Sequence, residues 1–327
     1  MIRGTAFFAS LASFVTRRTT LLFALLITAF VAVIGGCAKL PSTTVTSIKA
    51  ENPDDLQAYL LARKPDLDQF RQRGPFAVEV REDHEVVLSA KERITADLYL
   101  SSSKEKAPLV ILMHGYDNSK ADHAYQAMHL ASWGMHSLAV QLPNRARWIG
   151  NGRSLASLIN SIHRRPDIID SRIDVNRIIL AGHSFGGISV SIALAEGAPA
   201  AGGILLDPAG IGKELPGYLR KINKPLMVVG ADPKLSHTRE RDNFYRLTRG
   251  GVTEISIKGA AHEDAQFPMN SGLLGFVTDS TEELQITFVS ALTSAAFSLS
   301  ATGKFDYAWT SFRDGIENGK LVGAKRK

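Results

Sequence analysis

The chain has 327 residues, 45% hydrophobic and 21% charged, an ordinary balance for a globular protein that can bury a substantial core. Its formal charge is +6. Three of the 38 cations, Arg3, Arg17 and Arg18, fall in an acid-free leader-like segment, which leaves 35 basic against 32 acidic residues beyond it. That excess is too small and too scattered to argue for nucleic acid. Cys37 is the only cysteine, which excludes an intrachain disulfide.

Residues 1–36 run from basic Arg17 and Arg18 through an apolar stretch, Leu21 to Ile34, to Gly35-Gly36, the order of a secretory signal. Ile34-Gly35-Gly36-Cys37 further resembles a bacterial lipobox, so Cys37 is expected to be lipidated and to hold an exported protein on a membrane of the cell envelope. The apolar stretch is short for a spanning helix, which needs about 20 residues. Arg17-Arg18 loosely suits a twin-arginine signal. Residues 37–72 read as a lipidated N-terminus and polar tether, with a short helix within 53–72.

Runs at 76–80, 85–89 and 94–100 predict an antiparallel meander at a sheet edge. From Pro108 the pattern alternates: strands at 109–113, 137–140, 177–181, 203–206, 226–229 and 253–257, and helices at 121–133, 154–163, from 184 onward, 239–248 and 282–298. Strands apolar on both faces, separated by helices, predict an α/β fold with a mostly parallel central sheet covered on both sides. The domain is placed at 73–300. Residues 301–327 are read as a C-terminal tail ending in solvated Lys325, Arg326 and Lys327.

Gly182-His183-Ser184-Phe185-Gly186, followed by Gly187, carries the strongest chemical signal. A chain of this length contains G-x-S-x-G by accident in roughly one case in seven, so the pattern alone is weak. Here it lies between an apolar strand and a helix, where a sharp turn exposes the serine Oγ and the glycines leave room for the turn. A serine that only caps a helix needs no glycine on both sides. Ser184 is therefore the candidate nucleophile.

Such a hydroxyl needs a base. His262 follows the last predicted strand in Gly259-Ala260-Ala261-His262; His163, His183 and His237 are placed less suitably. Two carboxylates compete to orient it. Asp207 ends one strand directly and is favoured; Asp232, in the loop after the next strand, is the alternative. For each, the plainer role is a turn before proline. Backbone N–H groups of Phe185 and of Tyr116, in His114-Gly115-Tyr116, are expected to hold a developing oxyanion. His114 is read as a brace for its loop, and the rings of Tyr116 and Phe185 as possible lining of a pocket.

Together these motifs resemble the α/β-hydrolase superfamily over residues 75–298, and within it the branch of chlorophyllases, platelet-activating-factor acetylhydrolases and bacterial polyester hydrolases. The resemblance implies carboxylic ester hydrolysis without cofactor or metal, on a small-molecule or lipid-like ester. The first two groups take the acid from the earlier strand, which favours Asp207; polyester hydrolases use the later one, which favours Asp232. Only about 18 residues separate the strands ending at Leu206 and starting near Leu226, so no cap domain is expected there. Amide cleavage by the same triad, or a silent envelope lipoprotein using the fold for binding, are the rival readings. Oligomeric state is not legible.

Overall fold

The computed structural model describes residues 48–327 except 91, 144–146, 211, 236–240 and 269–280. The signal-like segment, Cys37 and His237 lie outside the described residues. Nine strands form one sheet in the order β1-β2-β4-β3-β5-β6-β7-β8-β9. Six of them run parallel in the middle: β4 (His136–Val140), β3 (Ala107–Met113), β5 (Ile173–His183), β6 (Gly202–Leu206), β7 (Leu226–Gly230) and β8 (Val252–Ile257). The hairpin of β1 (Val78–Val87) and β2 (Arg93–Ser101) closes one edge antiparallel, and β9 (Leu321–Arg326) closes the other.

The unbroken apolar runs of the central strands follow from burial on both faces. Val110 and Leu112 of β3 face one core while Leu109, Ile111 and Met113 face the other, as a two-residue period requires. The first face is covered by α1 (Pro53–Leu61), α2 (Ala124–Ser132), α7 (Glu282–Thr302) and α8 (Asp306–Glu317). The second is covered by α3 (Trp148–Arg164), α4 (Phe185–Ala195), α5 (Leu215–Leu219) and α6 (Asp242–Leu247). By length and composition α7 could cross a membrane, but most of it is buried against the sheet. Three of its hydroxyls return to their own helix, Thr287 to the carbonyl of Glu283, Ser290 to Ile286 and Thr293 to Val289, while Ser294 meets Ser311 of α8 at 2.8 Å.

Several boundaries differ from the expectations. The runs at 76–80 and 85–89 are one strand, interrupted by a bulge between Arg81 and His84 where Asp83 takes a left-handed φ of 52°. Helix α3 starts at Trp148, six residues before the predicted start at Ser154, because Gly150 and Gly152 lower its helical signal. A Cβ on Gly152 would lie 2.6 Å from Ile192 Cβ, so that glycine lets α3 and α4 approach. The predicted tether is partly core: Leu56, Leu60, Leu67 and Phe70 are buried.

Residues 301–327 are not a tail. They supply α8, whose Tyr307, Ala308 and Phe312 are buried, and the edge strand β9. Lys325 pairs with Asp242 at 2.6 Å and Arg326 with Asp306 at 2.6 Å, while Lys327 Nζ donates to the Thr248 carbonyl at 2.7 Å.

Candidate active site

Strand order reverses between β3 and β5: the chain leaves β3 for β4 on one side and reaches β5 on the other. A crevice at the carboxyl ends of the strands is expected at such a point. Ser184 stands there between β5 and α4, with φ 52° and ψ −117°. A non-glycine residue in that region costs about 1–3 kcal/mol and persists only when its surroundings over-determine it. Here Ser184 N donates to the Leu206 carbonyl at 3.1 Å, and the Ser184 carbonyl accepts from Gly187 N at 3.0 Å and Ala209 N at 3.2 Å.

The glycines make that turn sterically feasible. A Cβ on Gly182 would lie 2.5 Å from the Gly186 backbone, and one on Gly186 would lie 2.3 Å from the Met113 carbonyl oxygen. The Ser184 side chain makes no capping bond to α4, which disposes of the plainer role.

His262 opens a short 3-10 turn, His262–Ala265, after β8. Its Nδ1–H donates to Asp207 Oδ2 at 2.7 Å. Asp207 lies just past β6, wholly buried, with a positive φ of 36°. Its Oδ1 accepts from Arg241 Nη1 at 2.8 Å and from Ala231 N at 3.0 Å. Burial opposes ionisation of Asp207, but the hydrogen bond and charge of His262, the guanidinium of Arg241 and the Ala231 N–H outweigh it and hold the pKa at about 2. Asp207 is thus an ionised acceptor that, in the neutral imidazole, fixes the proton of His262 on Nδ1 and leaves the ring's lone pair on Nε2.

Asp232 does something else. Its Oδ2 accepts from Gly259 N at 2.8 Å and its Oδ1 from Lys234 N at 3.0 Å, while its own N–H donates to the Ala260 carbonyl at 2.9 Å. Burial is again outweighed, here by the two backbone N–H bonds, and its pKa is lowered. It pins the loop that carries His262 and does not orient the imidazole.

Gly115 brings the loop after β3 against the elbow: a Cβ there would lie 3.1 Å from both Ser184 Cβ and His183 Nδ1. His114 braces this loop, its Nδ1–H donating to the Gly115 carbonyl at 2.8 Å and its Nε2 accepting from Leu142 N at 3.0 Å. Burial lowers its pKa, which keeps that Nε2 an acceptor. Phe185 N–H opens α4 and so has no partner within its own helix. Tyr116 is 54% exposed, and its ring centroid lies 5.6 Å from that of Phe185, which in turn lies 5.2 Å from that of Trp148. Asn118 Nδ2 donates to Gln266 Oε1 at 2.7 Å, tying the Tyr116 loop to the His262 loop.

Among the described residues no hydrogen bond joins Ser184 Oγ to His262. His183, next to the serine, links the two segments instead. Its Nε2–H donates to the His262 carbonyl at 3.0 Å and its ring lies 4.5 Å from the His262 ring. Burial drives its pKa well below the usual imidazole range, so it stays neutral. His163 is exposed on α3.

Arg241, Trp148 and the anchoring role of His183 were not legible in the sequence. Arg241 has no motif around it; the only trace is Gly230, where a Cβ would fall 2.0 Å from Arg241 Nη1. Among the described residues no group of three or more His, Cys, Asp or Glu side chains is placed to hold a metal ion. No protein-family model matches the chain, and no curated protein does.

Proposed function

We propose that the protein is a serine hydrolase of α/β-hydrolase fold that cleaves carboxylic esters of small-molecule or lipid-like type through an acyl-enzyme on Ser184. The observation that carries this reading is the 2.7 Å bond from His262 Nδ1 to ionised Asp207, at the same carboxyl end of the parallel strands as a serine held at positive φ. Ser184 Oγ attacks the ester carbonyl as its proton passes to His262 Nε2. The N–H groups of Phe185 and Tyr116 hold the oxyanion. Collapse breaks the C–O bond and His262 returns the proton to the leaving alcohol. Water, deprotonated by the same nitrogen, then attacks the acyl carbon and frees Ser184.

The chain between β6 and β7 spends five residues on α5, Leu215–Leu219, which supports an uncapped, open site. The exposed Tyr116 ring, with Phe185 and Trp148 behind it, offers an apolar wall for the ester. The chemistry needs no cofactor. Sequence order alone supports export, removal of residues 1–36 and a lipid anchor on Cys37 in the cell envelope.

The test is labelling by a fluorophosphonate probe together with turnover of p-nitrophenyl esters and matched anilides. Expected are a label lost in Ser184→Ala and ester turnover well above that of the anilides. No label on folded wild-type protein refutes the enzyme, and preferential anilide cleavage makes it an amidase.

A further inference from the structure

Five ionisable side chains of alternating sign run in single file from the edge of the sheet to the catalytic pair. Lys325 on β9 lies 3.3 Å from Glu254 on β8, and Glu254 lies 3.4 Å from Arg241 Nε. Arg241 Nη1 donates to Asp207 Oδ1 at 2.8 Å, and Asp207 Oδ2 accepts from His262 at 2.7 Å. The three middle members are buried, with side-chain exposures of 7%, 10% and 0% for Glu254, Arg241 and Asp207. The guanidinium is also bonded to the Ala231 carbonyl at 3.1 Å and to Ser256 Oγ at 2.7 Å, so it knots the ends of β6, β7 and β8 together.

We propose that Arg241 is a positioning residue for the catalytic pair, which turns the Asp207 carboxylate so that Oδ2 meets His262 and whose charge, tempered by Glu254, sets the acid limb of the pH–rate profile. The inference rests on the serine-hydrolase reading. Burying a charge is costly unless it is paired and hydrogen-bonded, and the two acceptors on Arg241 Nη1 meet that requirement. A buried carboxylate with no second partner would hold the imidazolium strongly and leave the base protonated in mild acid. A guanidinium on the other oxygen offsets that pull. The guanidinium and the imidazole sit on opposite oxygens of one carboxylate, at 2.8 and 2.7 Å, and repulsion between two such cations at an effective dielectric of about 20 shifts a titration by about one to two pH units.

The other charged groups around the pair are already engaged or face elsewhere. His183 stacks on His262 and is neutral through burial. His123, 6.4 Å beyond His183, is fully buried too, and its pKa is lowered to about 4. Asp232 is bonded to the Gly259 and Lys234 amides, with Lys234 and Lys258 as its neighbouring cations. Asp264 accepts from Ala261 N, and Asp242 pairs with Lys325 and Arg246. Glu263 follows His262 in the same turn.

The experiment is kcat and kcat/KM for a p-nitrophenyl ester between pH 4.5 and 9, with thermal melts, in wild type, Arg241→Met and Glu254→Gln. In Arg241→Met the acid limb should move up by about one pH unit and plateau kcat should fall about tenfold or more, with KM within about twofold. Glu254→Gln keeps the shape of the side chain and removes an anion, so its limb should move down by a few tenths of a unit.

A folded, active Arg241→Met whose limb coincides with wild type overturns the proposal, as do shifts of the same sign in the two variants. If Arg241→Met fails to fold, Glu254→Gln and Lys325→Gln decide, because their limbs should move in opposite directions; coincident limbs overturn the proposal. A wild-type protein without ester turnover or Ser184 labelling sinks the hydrolase reading itself, a result separate from any limb position.

Discussion

Replacing Asp207 with asparagine tests the proposed catalytic pair through a change of one heavy atom. Oδ1 of Asp207 faces two donors, Arg241 Nη1 at 2.8 Å and Ala231 N at 3.0 Å. An asparagine amide nitrogen cannot face two N–H groups, so its oxygen must take that side and its NH2 must turn to His262. The imidazole then has to accept at Nδ1 and carry its proton on Nε2, the atom proposed to receive the proton of Ser184. A wrong-tautomer histidine in a serine triad costs on the order of 10⁴ in kcat, about 5.5 kcal/mol of transition-state stabilisation.

Asp232→Asn should behave differently. Its two oxygens accept from Gly259 N and Lys234 N, and asparagine keeps only one of these bonds. The expected cost is about 1–3 kcal/mol of stability, with the rate within about tenfold of wild type. The assay is kcat for a p-nitrophenyl ester at pH 8 beside urea unfolding of both variants. If Asp232→Asn loses the larger factor while remaining as stable as wild type, the assignment of Asp207 is wrong.

Two further outcomes follow from the same structure. Asp207 is held at about 2 against an ordinary value of 3.8, so its contribution is complete above the unfolded value and is lost as pH falls from about 4 to about 2. That is on the order of 2 kcal/mol. Urea midpoints measured between pH 5 and 2 should fall more steeply in wild type than in Asp207→Asn; parallel slopes refute the depressed carboxyl. Deleting residues 304–327 removes the buried Phe305, Tyr307, Ala308, Phe312 and Leu321 along with β9. Each large side chain lost from a core costs about 2–5 kcal/mol against a total of about 5–15, so the shortened chain should be insoluble or lack a cooperative melt. A soluble fragment with the wild-type melting temperature would show that these residues only decorate the domain.

The central sheet was readable because burial on both faces leaves unbroken apolar runs, and Ser184 because its turn excludes side chains at 182 and 186. Asp207 and His262 could be ordered along the chain, but choosing between Asp207 and Asp232 needed the third dimension: both aspartates precede a proline, and only geometry separates a carboxylate on an imidazole from one on two amides. Arg241 was invisible because its partners at 207, 231, 254 and 256 lie on three different strands or their ends. The end of the chain was misread for a physical reason as well. Strand β9 is an edge whose only fully buried residue is Leu321, so it carries charges where a central strand carries valine. In α3 two glycines hid the first turns, although one of them exists to let another helix approach.

The elbow also bounds how this site can be altered. Of its five positions, 182 and 186 admit no side chain and 184 holds the proposed nucleophile at a positive φ. Position 183 is committed to the carbonyl of His262. That leaves one letter with latitude, Phe185, whose backbone is fixed by the turn while its ring packs between Tyr116 and Trp148. A library meant to change what the protein accepts, without disturbing how it reacts, should be written first at residue 185 and then at the two aromatic neighbours that answer to it.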